Sequence, residues 1–244
     1  MILKNLFFPP KCIFCRKVLP INQTHPNICK ECEKYLPHLP VRTCIKCGKP
    51  MDAVYDKPYC PFCAGHIKGI RAIISPFLYK EELRESILHF KFHNRPYYAE
   101  TYAFYLEARL RAYHLTKFDA LVPIPVSKKR LRERGYDQCL MLANALSKRI
   151  NIPVMCLLEK TLHTPKQSTL NKHDRQNHPK KAFQVKPQDE MPETILLIDD
   201  IYTTGATAGA CAEKLRRAGV RNVYIATVAM HLPYLTNVEE DSPI

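Results

Sequence analysis

Tryptophan is absent from this chain, and glycine is sparse at 7 of 244 residues. Neither a GxxxxGK[ST] loop nor a GxGxxG turn occurs. That excludes the two familiar glycine-rich phosphate cradles, and with the first of them an ATP-driven motor. No run approaches the roughly 20 apolar residues that span a bilayer. The opening MILKNLFFPP is too short an apolar stretch for a secretory signal, so a cytoplasmic setting is expected. No helix-turn-helix pattern is visible, which sets aside a transcriptional repressor. Acidic residues are short: 23 Asp and Glu against 37 Lys and Arg leave a formal charge of +14. Such a balance attracts phosphate-rich partners, namely nucleic acid, nucleotides or an anionic surface. A solvated basic surface accounts for the charge alone equally well.

Proline (20) and cysteine (11) are plentiful. Eight of the cysteines precede residue 66 as four CxxC pairs, 12–15, 29–32, 44–47 and 60–63, separated by 13, 11 and 12 residues. A CxxC turn directs two thiolates at one ion, and two such turns complete a tetrahedral four-thiolate zinc site. Eight thiols imply two structural zinc ions. Sequential pairing puts Cys12, Cys15, Cys29 and Cys32 on one ion and Cys44, Cys47, Cys60 and Cys63 on the other; an interleaved cross-brace has the same spacing. A disulfide framework is disfavoured where thiols stay reduced. Zinc would replace a core that ~65 residues can barely build. Cys139, Cys156 and Cys211 fall within helical or strand patterns and read as small buried residues.

After Gly65 the pattern alternates. Strands are expected at 71–79, 119–126, 152–161, 193–199 and 221–230. Helices are expected at 80–92, with Leu83, Ile87, Leu88 and Lys91 at helical spacing, and at 96–115, 137–150 and 205–220. Pro96 suits a first helical position, Asp137 an N-cap, and Gly219 a C-terminal cap. Strands alternating with helices imply an α/β fold, a parallel sheet covered on both faces. Two domains are expected, residues 1–66 and 67–244, the second ending in a frayed acidic tail.

ILLIDDIYTTGAT, residues 195–207, carries the chemistry. A buried strand runs into Asp199 and Asp200, then a loop of hydroxyls around Gly205, then a helix. In open α/β sheets ligands bind at the carboxyl ends of strands, and helix N-termini favour anions. Thr203, Thr204 and Thr207 add donors, and Gly205 lets the backbone approach closely. An ordinary strand-to-helix turn needs one capping Asp, not two acids and three threonines. The arrangement suits a sugar phosphate, with phosphate in the loop and ribose hydroxyls on the acids.

This segment resembles the phosphoribosyl pyrophosphate motif of type I phosphoribosyltransferases. Joined to a zinc-ribbon N-terminus, it resembles the ComF family over nearly the whole chain. VPIPVSKKRLRERGYDQ (122–138) is similar to the family's VPxP…RxRG[FY][ND]Q segment, and places Lys128, Lys129, Arg130, Arg132 and Arg134 against one Glu133. TPKQSTLNKHDRQNHPKKAFQV (164–185) is similar to a segment that carries a mobile lid in phosphoribosyltransferases; here it holds Lys166, Lys172, Arg175, Lys180 and Lys181. HFKFHNR (89–95) resembles a K[FY]xx[RK] piece in which His93 and Asn94 depart from glycine-containing forms.

The resemblance implies a double zinc ribbon followed by a type I phosphoribosyltransferase-like domain that binds phosphoribosyl pyrophosphate with Mg2+. Asp199 and Asp200 would hold the ribose hydroxyls. Thr203, Thr204, Gly205, Ala206 and Thr207 would hold the 5-phosphate. Lys128, Arg130 and Arg134 would face the pyrophosphate, Arg130 and Arg134 neutralising it as it leaves. It also implies a role in DNA uptake during natural competence, handling single-stranded DNA beside a separate ComFA-like helicase. The alternative is an active phosphoribosyltransferase of nucleotide or cofactor metabolism with no part in DNA uptake. No residue stands out as a nucleophile or base.

Overall fold

The computed structural model describes residues 9–20, 26–40, 42–48, 50–51, 57–61, 63, 69–161 and 182–232. Most of the expected lid (162–181), the acidic tail and the junction near residue 66 lie outside the described residues.

The regular elements are a short helix α1 (Lys30–Lys34), strands β1 (Ile70–Ile74) and β2 (Phe77–Leu78), helices α2 (Glu81–Phe92) and α3 (Tyr98–Ala112), strand β3 (Ala120–Pro123), helices α4 (Lys128–Arg134) and α5 (Gln138–Ile150), strands β4 (Leu158–Lys160), β5 (Phe183–Val185) and β6 (Thr194–Tyr202), helix α6 (Ala206–Arg217) and strand β7 (Asn222–Met230). The main sheet is parallel, in the order β1-β7-β6-β3. β2 continues the β1 edge against β7, pairing Phe77 with Ala229. Ser75 and Pro76 interrupt that edge; the Pro76 carbonyl instead accepts from Leu39 N–H at 2.9 Å.

Alternation along β6 shows why both faces are covered. Ile195 and Leu197 pack with Ala208, Cys211, Ala212 and Leu215 of α6. Leu196 and Ile198 face the other way, into Phe90 of α2, Tyr102 and Leu106 of α3, and Leu142 and Leu146 of α5. A strand buried on both faces requires a continuous apolar run, and 195–198 supplies it.

The cysteine-rich segment is packed into the second of these cores. Ile13, Leu19, Ile28 and Leu36 belong to the same cluster as Phe90 and Leu106, and Ile13 is fully buried. The Ser86 hydroxyl donates to the Ile13 carbonyl at 3.0 Å. Arg109, buried on α3, donates to the carbonyls of Leu39 (3.2 Å) and Pro40 (2.7 Å) and to Thr43 Oγ1 (3.2 Å). Desolvation lowers its pKa.

Two local expectations are corrected. Residues 152–161 are not one strand of the main sheet. Val154 makes a single parallel bridge to Leu121, and only Leu158–Lys160 is a strand, antiparallel to β5 in a separate two-stranded sheet. An apolar run does not distinguish a sheet strand from an extended segment packed beside one. Pro96 lies in the turn before α3, its carbonyl accepting from Ala99 N–H at 3.1 Å.

Candidate functional site

β3 pairs with β6 only as far as Pro123 with Ile198, whereas β6 continues to pair with β7 through Tyr202 and Met230. The two acids therefore lie within the strand rather than at its last residue, where β6 outruns its neighbour and a crevice opens. Asp199 is half-buried and Asp200 is 7% exposed.

Asp200 is met by two side chains. Lys91 Nζ of α2 lies 2.9 Å from Oδ1, and Gln138 Nε2 of α5 donates to Oδ2 at 3.0 Å. Asp199 Oδ1 accepts from the Asp200 N–H at 2.8 Å and from Cys139 Sγ at 3.5 Å. Burial, then the neighbouring Asp200 charge, pushes the Asp199 carboxyl up to about 7; the Asp200 N–H and Lys91 act against the shift.

Arg134 ends α4 at the crevice. It is 8% exposed, its guanidinium 4.7 Å over the Phe92 ring. Burial lowers its pKa, while Asp200 is the largest influence holding the proton on. Its Nε and Nη1 have no hydrogen-bond partner among the described residues. Buried donors of a charged group are costly to leave unmade, so these two are suited to an anionic acceptor. Arg130 lies close enough to repel Arg134 but is itself exposed, as is Lys128.

Local sequence explains the placement. Ser127 caps α4, accepting from Arg130 N–H at 3.2 Å. Gly135 ends it at φ 79°, a left-handed conformation suited to glycine. Asp137 caps α5 through Leu140 N–H (3.0 Å) and also accepts from Val126 N–H (3.2 Å). That second bond ties the segment after β3 to the helix carrying Gln138. The Tyr136 hydroxyl donates to the Phe90 carbonyl, joining this turn to the helix carrying Lys91. Asn94 takes φ 50°, a left-handed turn that asparagine tolerates in place of glycine.

Beyond the acids, Thr203, Thr204, Ala206 and Thr207 are exposed, and α6 begins at Ala206. Gly205 has φ 73°, and a Cβ there would overlap Tyr202 Oη. The loop thus needs glycine for two separate reasons. Its threonines are exposed, and the first amide of α6, Ala206 N–H, donates to Thr204 Oγ1 at 3.4 Å.

Lys91, Gln138 and Cys139 are site residues to which sequence reasoning assigns no role. Two of them stand in quoted motifs: Gln138 closes RGYDQ, and Lys91 opens the K[FY]xx[RK] piece at 91–95. Cys139 reads only as a small buried residue.

The eight N-terminal cysteines gather into two clusters, Cys12/Cys15/Cys29/Cys32 and Cys44/Cys47/Cys60/Cys63, with all sulfurs of each within 4.8 Å of one another. This is the sequential pairing. Cys15 and Cys29 sulfurs are 3.6 Å apart, and Cys47 and Cys60 are 3.8 Å apart. A tetrahedral ion with sulfurs about 2.3 Å away sets them about 3.8 Å from each other, so both clusters suit structural zinc. Thiols within a cluster shift in opposite directions, because neighbouring sulfurs share their protons: hydrogen bonding from Cys47 lowers Cys44, while burial raises Cys63.

The double zinc ribbon domain family matches residues 3–65. Competence protein F of Haemophilus influenzae is 30% identical over 226 residues, covering 90% of this chain and 96% of that protein. The chain belongs to the ComF family. Competence protein ComFC of Bacillus subtilis is 28% identical over 196 residues, 79% of either chain. Among solved structures, the chain is similar to a purine phosphoribosyltransferase from Pyrococcus horikoshii at 20% identity, covering 53% of this chain and 69% of that one, with a TM-score of 0.31. The chain joins its two four-cysteine clusters to a parallel α/β sheet. No helix among the described residues is long and apolar enough to cross a membrane.

Proposed function

We propose that the crevice binds phosphoribosyl pyrophosphate together with Mg2+, and that this binding serves DNA uptake. The observation that carries the reading is the juxtaposition of two acids with a buried guanidinium whose Nε and Nη1 are unpartnered among the described residues. The acids accept the ribose hydroxyls, Arg134 donates to a pyrophosphate oxygen, and residues 203–207 enclose the 5-phosphate. The carboxylates are hard oxygen donors suited to Mg2+, directly or through water, and the ion would supply charge neutralisation beside the pyrophosphate. Lys91 and Gln138 hold Asp200 at the floor of the site. If transfer occurs, the bond from ribose C1 to pyrophosphate breaks as an acceptor nitrogen bonds to C1. Arg134 and the solvent-facing Arg130 stabilise the departing charge.

Phosphorus NMR tests the cradle. Wild-type protein with Mg2+ is expected to broaden the 5-phosphate resonance of phosphoribosyl pyrophosphate, and Gly205→Ala to leave it sharp. An unbroadened resonance with wild type overturns the reading.

A second surface supports the handling of single-stranded DNA. Lys46, Tyr59, Arg71, Arg216 and Arg221 line one groove, with Lys46 Nζ 4.7 Å from the Tyr59 ring centre. The groove adjoins Ile70, where β1 starts, and so lies at the end of the sheet opposite the acids. Cations beside an aromatic ring suit a phosphodiester chain with one stacked base. Oligonucleotide affinity should fall steeply with salt and fall further in Arg216→Glu; a flat salt dependence contradicts this second reading. With no nucleotide-triphosphate loop in the chain, the motor would be a separate helicase.

A further inference from the structure

Cys139, Asp199 and Asp200 place a thiol and two carboxylates with ligand atoms all within 4.8 Å of one another. The sugar-phosphate reading uses both acids and leaves the thiol without a task. Cys139 is 1% exposed, and its weak S–H···O contact to Asp199 spans 3.5 Å. A thiol contributes little as a hydrogen-bond donor but a great deal, once deprotonated, as a soft metal ligand.

A second observation comes from the neighbouring residue. Gln138 is 4% exposed, and its Nε2 is committed to Asp200 Oδ2 at 3.0 Å. Its Oε1, on the same terminal carbon and so within about 5 Å of the same carboxylate by amide geometry, is buried and has no hydrogen-bond partner among the described residues. A buried acceptor lacking a donor is destabilising, and a cation satisfies it. The first turn of α5 and two residues of β6 thus offer one sulfur and the oxygens of three side chains.

We propose that Cys139, Asp199, Asp200 and Gln138 form a third metal site, selective for a thiophilic divalent ion such as Zn2+ or Cd2+. Mg2+ prefers oxygen and gains nothing from the sulfur. Zn2+ accepts sulfur and carboxylate oxygen together in a four-coordinate shell. On binding, the Cys139 S–H bond breaks, a sulfur–metal bond forms, and the proton passes to solvent. Lys91 releases Asp200 to make room; its side chain is 16% exposed and has a path to water. The other charged groups facing the cluster include Arg134 toward Asp200, Lys160 toward Asp199 and Asp137 toward Cys139. The two cations oppose the incoming ion, so the third site is weaker than the two all-cysteine sites. A soft ion there occupies the place of the ribose hydroxyls and excludes the sugar phosphate. That consequence, though not the metal site itself, rests on the proposed function.

The test counts zinc. Untagged protein already holding two zinc ions per chain is titrated with Zn2+ against a competing chromophoric chelator, with no sugar phosphate present. Wild type is expected to take up a third equivalent. Cys139→Ser is expected to keep two and to weaken the third by at least about ten-fold, with an unchanged thermal midpoint. Should that variant fail to fold, Asp199→Asn makes the same test. A third equivalent held equally well by a folded variant overturns the proposal, as does a wild type that stops at two. Repeating the count with phosphoribosyl pyrophosphate and Mg2+ present reports the competition. If that ligand does not bind, the zinc count still decides the site.

Discussion

Lys91 Nζ and Asp200 Oδ1 lie 2.9 Å apart, joining the last turn of α2 to β6 beneath the crevice. Both side chains are largely buried, at 16% and 9% exposure, so the pair is shielded from most solvent screening. Lys91→Met leaves Asp200 buried, with the Gln138 hydrogen bond and the nearby Arg134 charge as its remaining compensation. A loss of about 2–3 kcal/mol in stability is expected, somewhat below the usual cost of breaking a fully buried pair because Lys91 touches water. Chemical denaturation measures it. A loss under about 0.5 kcal/mol would place this pair among ordinary surface bridges.

Asp199 sets a pH dependence of stability. Its carboxyl is raised from 3.8 to about 7 in the folded chain by burial and by Asp200. Between those values the folded state binds a proton that the unfolded state has released. Stability therefore falls as pH rises through this window, the reverse of a salt-bridged carboxylate. Asp199→Asn removes the penalty and should raise stability above pH 7 by about 1–2 kcal/mol, less than the full shift implies because the group still meets solvent. Thermal melts of both proteins from pH 4 to pH 8 follow the divergence; parallel curves contradict it.

The same ionisation governs the ligand. An ionised Asp199 accepts a ribose hydroxyl better than a protonated one, so affinity for phosphoribosyl pyrophosphate should rise several-fold between pH 6 and pH 8. Equilibrium titration at the two values reads this directly.

Gly205→Ala and Gly209→Ala form a matched pair. At Gly205 the added carbon overlaps Tyr202 Oη in a left-handed conformation, whereas at Gly209 it meets nothing within 4 Å. The first should lose about 1–3 kcal/mol and distort the loop. The second should be neutral or slightly stabilising, because alanine is the better helix former. Equal effects would mean that the loop conformation is not required.

Zinc removal should propagate. Ile13, Leu19 and Ile28 pack in the same core as Leu106 and Leu146, and Arg109 bonds across to Leu39 and Pro40. Chelation that melts the ribbons should lower the thermal midpoint of the whole chain, not only of its first residues. An unchanged midpoint for the sheet would show that the two parts are energetically independent.

Much of this arrangement is visible in the residues themselves. The run Ile195–Ile198 reads as a strand buried on both faces because no polar residue interrupts it. Asp137 and Gly135 announce the ends of their helices through side-chain and backbone chemistry that acts over three or four positions. The four CxxC pairs announce thiol clusters for the same local reason. What sequence does not show is long-range. Lys91 and Asp200 are far apart in the chain, and helical period alone makes Lys91 a neighbour of Ile87 rather than of an acid. Cys139 reads as a small buried residue, which it is, but nothing local reveals the carboxylate beside it. Arg134 belongs by pattern to an exposed basic helix; only the docking of α4 against Phe92 turns it inward. Residues 152–157 have strand composition and lie beside β3, yet the sheet ladder does not extend to them.

The most direct measurement is calorimetric titration of protein carrying only its two ribbon zinc ions, in zinc-free buffer, with phosphoribosyl pyrophosphate and Mg2+, comparing wild type with the Asp199→Asn/Asp200→Asn double variant. The account predicts saturable binding by wild type, its loss in the variant, and an unchanged zinc content of two per chain in both. Wild type that binds nothing, or a folded variant that binds equally well, would contradict it.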